Sequence, residues 1–159
     1  MQNREKLRMT LLAFQNTSAE TLVRGMDFPT VLLPSDKIKD SEIAITKIQT
    51  SEKIICFGQK PQIINKICLE LAARDNDALL PTNFEIETLK TKLKANNITY
   101  SESQNPGTSY CNLVYWNALN YIRDNKCNCK FLFIHIPFEQ NIGNISELRE
   151  KLNSILKSL

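Results

Sequence analysis

Phe131-Leu132-Phe133-Ile134-His135-Ile136-Pro137 is apolar throughout except for one imidazole, and how this stretch is read decides the fold. A strand with one wet face alternates apolar and polar residues. A strand covered on both faces does not, and parallel sheets are covered on both faces. The stretch therefore predicts a central strand of a mainly parallel sheet, with its histidine at the carboxyl end. Arg8 to Phe14, Thr30 to Leu33, Lys53 to Gly58 and Ile98 to Ser101 read as further strands. Amphipathic segments separate them. Thr17 or Ser18 caps a short helix running to Met26, and Ser35 to Thr50 reads as helix or mixed structure. Pro61 starts a helix whose apolar face carries Ile63, Ile64, Ile67 and Leu71. Asn83 caps the next helix, with Glu85 and Glu87 in its first turn. Thr108 to Arg123 is helical. Ser146 caps a last helix, in which Leu148, Leu152, Ile155, Leu156 and Leu159 recur at helical spacing. Strands and helices in alternation predict an α/β fold, a three-layer α/β/α sandwich around a twisted sheet. No repeat, low-complexity tract or linker interrupts it, so residues 1–159 read as one domain.

Composition excludes several classes of function. The chain has 159 residues, 42% hydrophobic and 23% charged, with a formal net charge of +3. Its Lys and Arg residues are scattered and form no basic stripe, which argues against a nucleic-acid partner. The apolar runs are too short to span a bilayer, so no membrane role is expected. Residues 1–8 are polar and lack the apolar core of a secretory signal. The five cysteines (Cys56, Cys68, Cys111, Cys127 and Cys129) are odd in number and irregular in spacing. Reduced thiols in a cytoplasmic protein are the expectation. The Cys127-Asn128-Cys129 pair has no second pair of ligands to complete a metal site, so no metal and no cofactor is expected.

Gly107-Thr108-Ser109-Tyr110-Cys111-Asn112 puts a cysteine where a helix begins, and His135, the only histidine, follows 24 positions later. In open α/β sheets, reactive residues gather at the carboxyl ends of strands. A thiol in a first helical turn is expected to ionise more easily, through free N–H groups and the helix dipole. The same amides can hold an oxyanion, and an imidazole can take and return the proton. Cys111 and His135 are thus candidates for a nucleophile and its base, although each residue type also fills cores. Glu70 interrupts the apolar run Ile67-Cys68-Leu69-Glu70-Leu71-Ala72-Ala73. It is either the group that orients His135 or a solvated position on a helix.

These segments resemble the pyroglutamyl peptidase I family, cysteine peptidases that remove an N-terminal pyroglutamate. Gly107 to Asn112 is similar to the family's nucleophile motif, and Phe133-Ile134-His135-Ile136-Pro137 to its histidine motif, with a matching gap between them. Ile67 to Ala72 is similar to the segment carrying the family's glutamate, and Phe57-Gly58-Gln59 to its Gly-Gln turn. The resemblance implies a single α/β sandwich of hydrolase type. It also implies a catalytic triad of Cys111, His135 and Glu70, and a substrate pocket formed by Phe14, Gly58, Gln59 and Tyr110. Departures are specific. The family's aromatic loop after the first strand is replaced by Ala13-Phe14-Gln15-Asn16-Thr17, and only Phe14 remains. Where the family continues Ala-Gly-Gly-Arg after Gly-Gln, this chain has Lys60-Pro61-Gln62-Ile63.

The implied partner is a peptide, or a small cyclic amide if the altered loop opens the site to another substrate. A third reading is an inactive binding module or homo-oligomer subunit, with Tyr115, Trp116 and Tyr121 as exposed aromatics. Core packing of the helix is the alternative for those three residues.

Overall fold

A computed structural model describes residues 5–107 and 109–159. The central sheet has six strands: β1 (Leu7–Phe14), β2 (Thr30–Leu33), β3 (Ser51–Gln59), β4 (Ile67–Glu70), β7 (Tyr100–Ser103) and β8 (Lys130–Ile136). Their order is β2-β1-β3-β8-β4-β7. Pairing is parallel throughout, except that β4 runs antiparallel to β8. A two-stranded hairpin, β5 (Ala72–Asp75) with β6 (Ala78–Pro81), lies apart from this sheet.

Both faces of the sheet are covered, as the apolar run in β8 requires. On one face Phe57, Leu69, Leu132 and Ile134 pack with residues of α1 (Ser18–Val23), α3 (Ile86–Ala95) and α5 (Ile145–Lys157). On the other, Cys56, Phe131 and Phe133 pack with α2 (Lys39–Ile48) and α4 (Tyr110–Asp124). This is the expected three-layer sandwich with a mainly parallel sheet. The strand period of two decides which side chains can meet. Gly58, Phe133, His135, Cys68 and Glu70 all belong to the α4 face.

The structure corrects the expectation of a helix from Pro61. Gln62 and Asn65 adopt left-handed backbone angles (φ 71° and 50°), which no α-helix can contain. Ile67-Cys68-Leu69-Glu70 then forms a strand buried on both faces. Residues of a doubly covered strand are all apolar or paired, so periodicity alone does not separate it from a buried helix. The β5–β6 hairpin had no signature in the sequence beyond Asn76-Asp77 at its turn. The capping residues also differ. Asn83 caps nothing: its side chain donates to Cys129 O and accepts from Phe131 N, both at 2.8 Å, which pins the start of β8. Asn144, not Ser146, caps α5 by accepting from Glu147 N. Of the three aromatics weighed between exposure and core packing, Tyr115 is fully buried in the α4 core, and Trp116 and Tyr121 are half-buried.

Candidate active site

The chemistry-bearing residues meet where β3, β8 and α4 converge. Gly58 and His135 are register partners at the carboxyl ends of β3 and β8. Ser109 is the N-cap residue of α4, with no capping bond from its own side chain, which puts Cys111 in the first turn. Thr108, where the sequence reading starts this helix, lies outside the described residues. The Cys111 sulfur rests against Gly58. A Cβ at position 58 would lie 2.9 Å from Cys111 Sγ and 2.8 Å from Phe133 Cζ. Only a residue without a side chain lets the sulfur approach the strand so closely.

Glu70 owes its place to the one antiparallel pairing in the sheet, between β8 and β4. Phe133 is its register partner and Cys68 is that of His135, so Glu70 is the diagonal neighbour of His135 on the same face. Glu70 Oε1 lies 2.7 Å from His135 Nδ1, and both side chains are buried. Lys60 Nζ approaches the same oxygen at 3.2 Å, and Cys68 Sγ donates to it at 3.5 Å. Oε2 has no partner among the described residues. A buried carboxylate left unpaired costs several kcal/mol, so this cluster is what permits Glu70 to be there. Burial alone would push its carboxyl up. The bond with His135, supported by Ser103 and Lys60, outweighs burial and leaves Glu70 below its ordinary value. Glu70 is therefore anionic at neutral pH and can only accept, so His135 Nδ1 carries the proton of their bond.

Cys111 behaves differently from the sequence expectation. Ser109 and the Cys111 amide favour the thiolate. Burial outweighs them, with the negative charge of Glu70 adding to it, and the thiol is pushed up to about 11. The resting nucleophile candidate is thus a buried thiol, not a preformed thiolate.

The expected pocket residues differ in their surroundings. Phe14 is buried, its ring 6.4 Å from that of Phe133. Gln59 accepts from Ser18 N through its side-chain Oε1, while Ser18 Oγ donates to Pro137 O. These two bonds tie the start of α1 to the ends of β3 and β8. Tyr110 is exposed and borders a cavity of about 620 Å³ that Ser109, Asn112, Arg74 and Trp116 also line. A second cavity, of about 390 Å³, lies between Pro137, Ile67 and Leu148.

Three residues support the site in ways that the sequence does not indicate. Asn112 bonds the Arg74 backbone in both directions, at 2.9 and 2.7 Å, and fastens the hairpin beside the start of α4. The Tyr115 hydroxyl donates to Glu70 O at 2.6 Å. Lys60 pairs with Glu70, and its only signal in the sequence was a cation directly after Gly58-Gln59.

No family model matches the chain. Pyrrolidone-carboxylate peptidase 1 of Caldanaerobacter subterraneus subsp. tengcongensis is 42% identical to it over 139 residues, covering 73% of this chain and 68% of that protein. The chain belongs to the pyrrolidone-carboxylate peptidase family. Pyrrolidone-carboxylate peptidase 2 of the same organism is 27% identical over the same length. Among solved structures, pyroglutamyl peptidase I from Bacillus amyloliquefaciens superimposes with a TM-score of 0.78 at 19% identity, over 94% of this chain and 95% of that one. A mutant pyrrolidone carboxyl peptidase from Pyrococcus furiosus gives 0.80 at 14%, over 95% and 97%. At such identities the likeness of these pyrrolidone-carboxylate peptidase structures speaks for the fold. No helix among the described residues is long and apolar enough to cross a membrane.

Proposed function

We propose that this chain is a cysteine peptidase that removes N-terminal pyroglutamate from peptides, with Cys111 as nucleophile, His135 as base and acid, and Glu70 as the group that orients His135. The observation that carries the reading is the 2.7 Å bond between Glu70 Oε1 and His135 Nδ1, beside a helix start that presses Cys111 Sγ against the partner of His135.

The reaction follows from the charge states. His135 Nε2 takes the thiol proton as Cys111 Sγ attacks the scissile carbonyl. The proton moves in step with the attack, because burial keeps the free thiol protonated. Glu70 stabilises the imidazolium that forms. The amides of the first turn of α4 have no partners within the helix and hold the oxyanion. His135 then gives the proton to the departing amine, leaving an acyl-enzyme. Water, deprotonated by the same Nε2, attacks the thioester and releases pyroglutamate and the free thiol.

Phe14, Gly58, Gln59 and Tyr110 are the side of the site assigned to the substrate. Gly58 lends its backbone, Phe14 its ring, and Tyr110 the mouth of the neighbouring cavity. A fluorogenic pyroglutamyl amide tests the reading. Wild-type protein turns it over, and Cys111→Ala lowers the rate by about four orders of magnitude or more while the protein stays folded. Absence of turnover by folded wild type across mildly acidic to mildly alkaline pH rejects it.

A further inference from the structure

Lys60 stands out because it is a cation inside a site whose chemistry has no direct use for one. It is the first residue after β3. Its backbone N–H donates to Ile136 O at 2.9 Å, which fixes it beside the end of β8. Its ammonium then turns to the one Glu70 oxygen that His135 already occupies.

We infer that Lys60 is a positioning residue that shares Glu70 Oε1 with His135, limits how strongly the carboxylate favours a doubly protonated ring, and so keeps His135 Nε2 free to accept a proton. The inference concerns the charge state of His135 and rests on the proposed function only for its catalytic consequence.

Three physical points support it. First, a carboxylate at 2.7 Å favours the imidazolium, and unopposed it would hold the ring in the form that cannot act as a base. Second, a like charge within about 6 Å disfavours imidazolium, and Lys60 is held at that range by the shared oxygen. Third, few other charges face the pair. Cys68 is on β4, Cys56 on β3, and Cys111 and Tyr115 are on α4. Burial pushes all four up, and they are neutral near pH 7. Asp40 on α2 is felt at Cys111 and Cys56, and it accepts the backbone N–H of Asp36 within its own segment. Glu70 is thus the charged group in contact with the imidazole, and Lys60 acts on it through the shared oxygen. Because the Lys60 side chain is 31% exposed, water screens part of its effect, and a shift of about one pH unit is expected rather than several.

The sole histidine makes the test direct. In protein labelled with ¹⁵N-histidine, the imidazole resonances report His135 alone. Lys60→Met should raise the midpoint of that titration by about one unit, Lys60→Glu by more, and Lys60→Arg by little. With a pyroglutamyl amide, the acid limb of kcat/KM should move upward by the same amount in Lys60→Met, with the alkaline plateau kept. The resonance arm decides the inference even if no such substrate is turned over, so its failure is distinct from failure of the peptidase reading. A midpoint unchanged in both Lys60→Met and Lys60→Glu overturns the inference. So does an equal shift in Lys60→Arg and Lys60→Met, which would make the contact steric rather than electrostatic.

Discussion

The two halves of the sheet contribute to the site in different ways. In the parallel half, β1, β2, β3 and β8 end together, and Gly58 and His135 arrive level with each other at one edge. In the other half, β4 runs against β8 and carries Glu70 inward past His135, so that it sits under the imidazole rather than beside it. Parallel register delivers reactive groups to a rim, and β4, reversed together with β7, delivers a buried support beneath them. Each half then depends on a different device. The rim needs a residue without a side chain, because the sulfur lies on Gly58. The support needs partners, because a carboxylate in an apolar layer is tolerated only when its charge is answered.

Substitution at Glu70 should break this arrangement most severely. Glu70→Gln keeps the shape and removes the charge. The amide can present its N–H to Nδ1, which favours the wrong ring tautomer and leaves the imidazolium unsupported. We expect kcat/KM for a pyroglutamyl amide to fall by about 10³-fold with near-normal KM. A loss under tenfold would mean that the reversed strand supplies packing and not chemistry.

The rim is tested at Gly58. Gly58→Ala forces either the Phe133 ring or the Cys111 sulfur to move, since both lie inside 3.0 Å of the new methyl group. Phe133 is fully buried and packed between the tilted rings of Tyr115 and His135, so it yields little. The expected cost is about 1–3 kcal/mol in chemical denaturation, with slower alkylation of Cys111 by iodoacetamide. Tyr115→Phe tests the support with less force. It removes one donor to Glu70 O and should cost about 1 kcal/mol, with only a small change in turnover.

The same division separates what could be read in the sequence from what could not. The parallel half was legible, because Lys53 to Gly58 and Phe131 to Ile136 are short, unbroken apolar runs ending in Gly and Pro. Cys111 at a helix start was legible for the same reason, from Gly107 and Ser109 ahead of it. The reversed half was not. Ile67 to Ala73 is buried on both faces of its strand and then enters a hairpin, so its pattern imitates a buried helix. The left-handed angles at Gln62 and Asn65 that rule a helix out belong to residues that tolerate helices. The glutamate was singled out for the right reason, a charge among apolar neighbours, but on the wrong element. Lys60 escaped notice because an isolated lysine is usually a solvated one, and only the β4 register shows that it points at Glu70. The protonated resting thiol also escaped, since the helix-start argument weighs dipole and amides and has no measure of burial.

The smallest expected effect is a slope rather than a loss, and it isolates the support from the rim. Glu70 sits below its ordinary value of 4.5 in the folded protein and returns to that value on unfolding. The unfolded chain therefore binds the proton more tightly. The stability that Glu70 contributes is complete above the unfolded value and is lost as pH falls through the folded one. Asp27 and Asp36 are lowered as well, by Lys157 and by backbone N–H groups near Ile38 and Lys39, so the wild-type slope on the acid side is not due to Glu70 alone. Those two lie far along the chain from Glu70 and are kept in Glu70→Gln, so subtracting the two stability curves removes them. Between about pH 5 and 3 the difference between wild type and Glu70→Gln in urea unfolding should shrink steadily as the pH falls. A difference that stays constant across the window would mean that Glu70 keeps its ordinary affinity for protons. The bond to His135 would then not outweigh burial, and the reversed strand would be holding a strained carboxylate rather than a settled one.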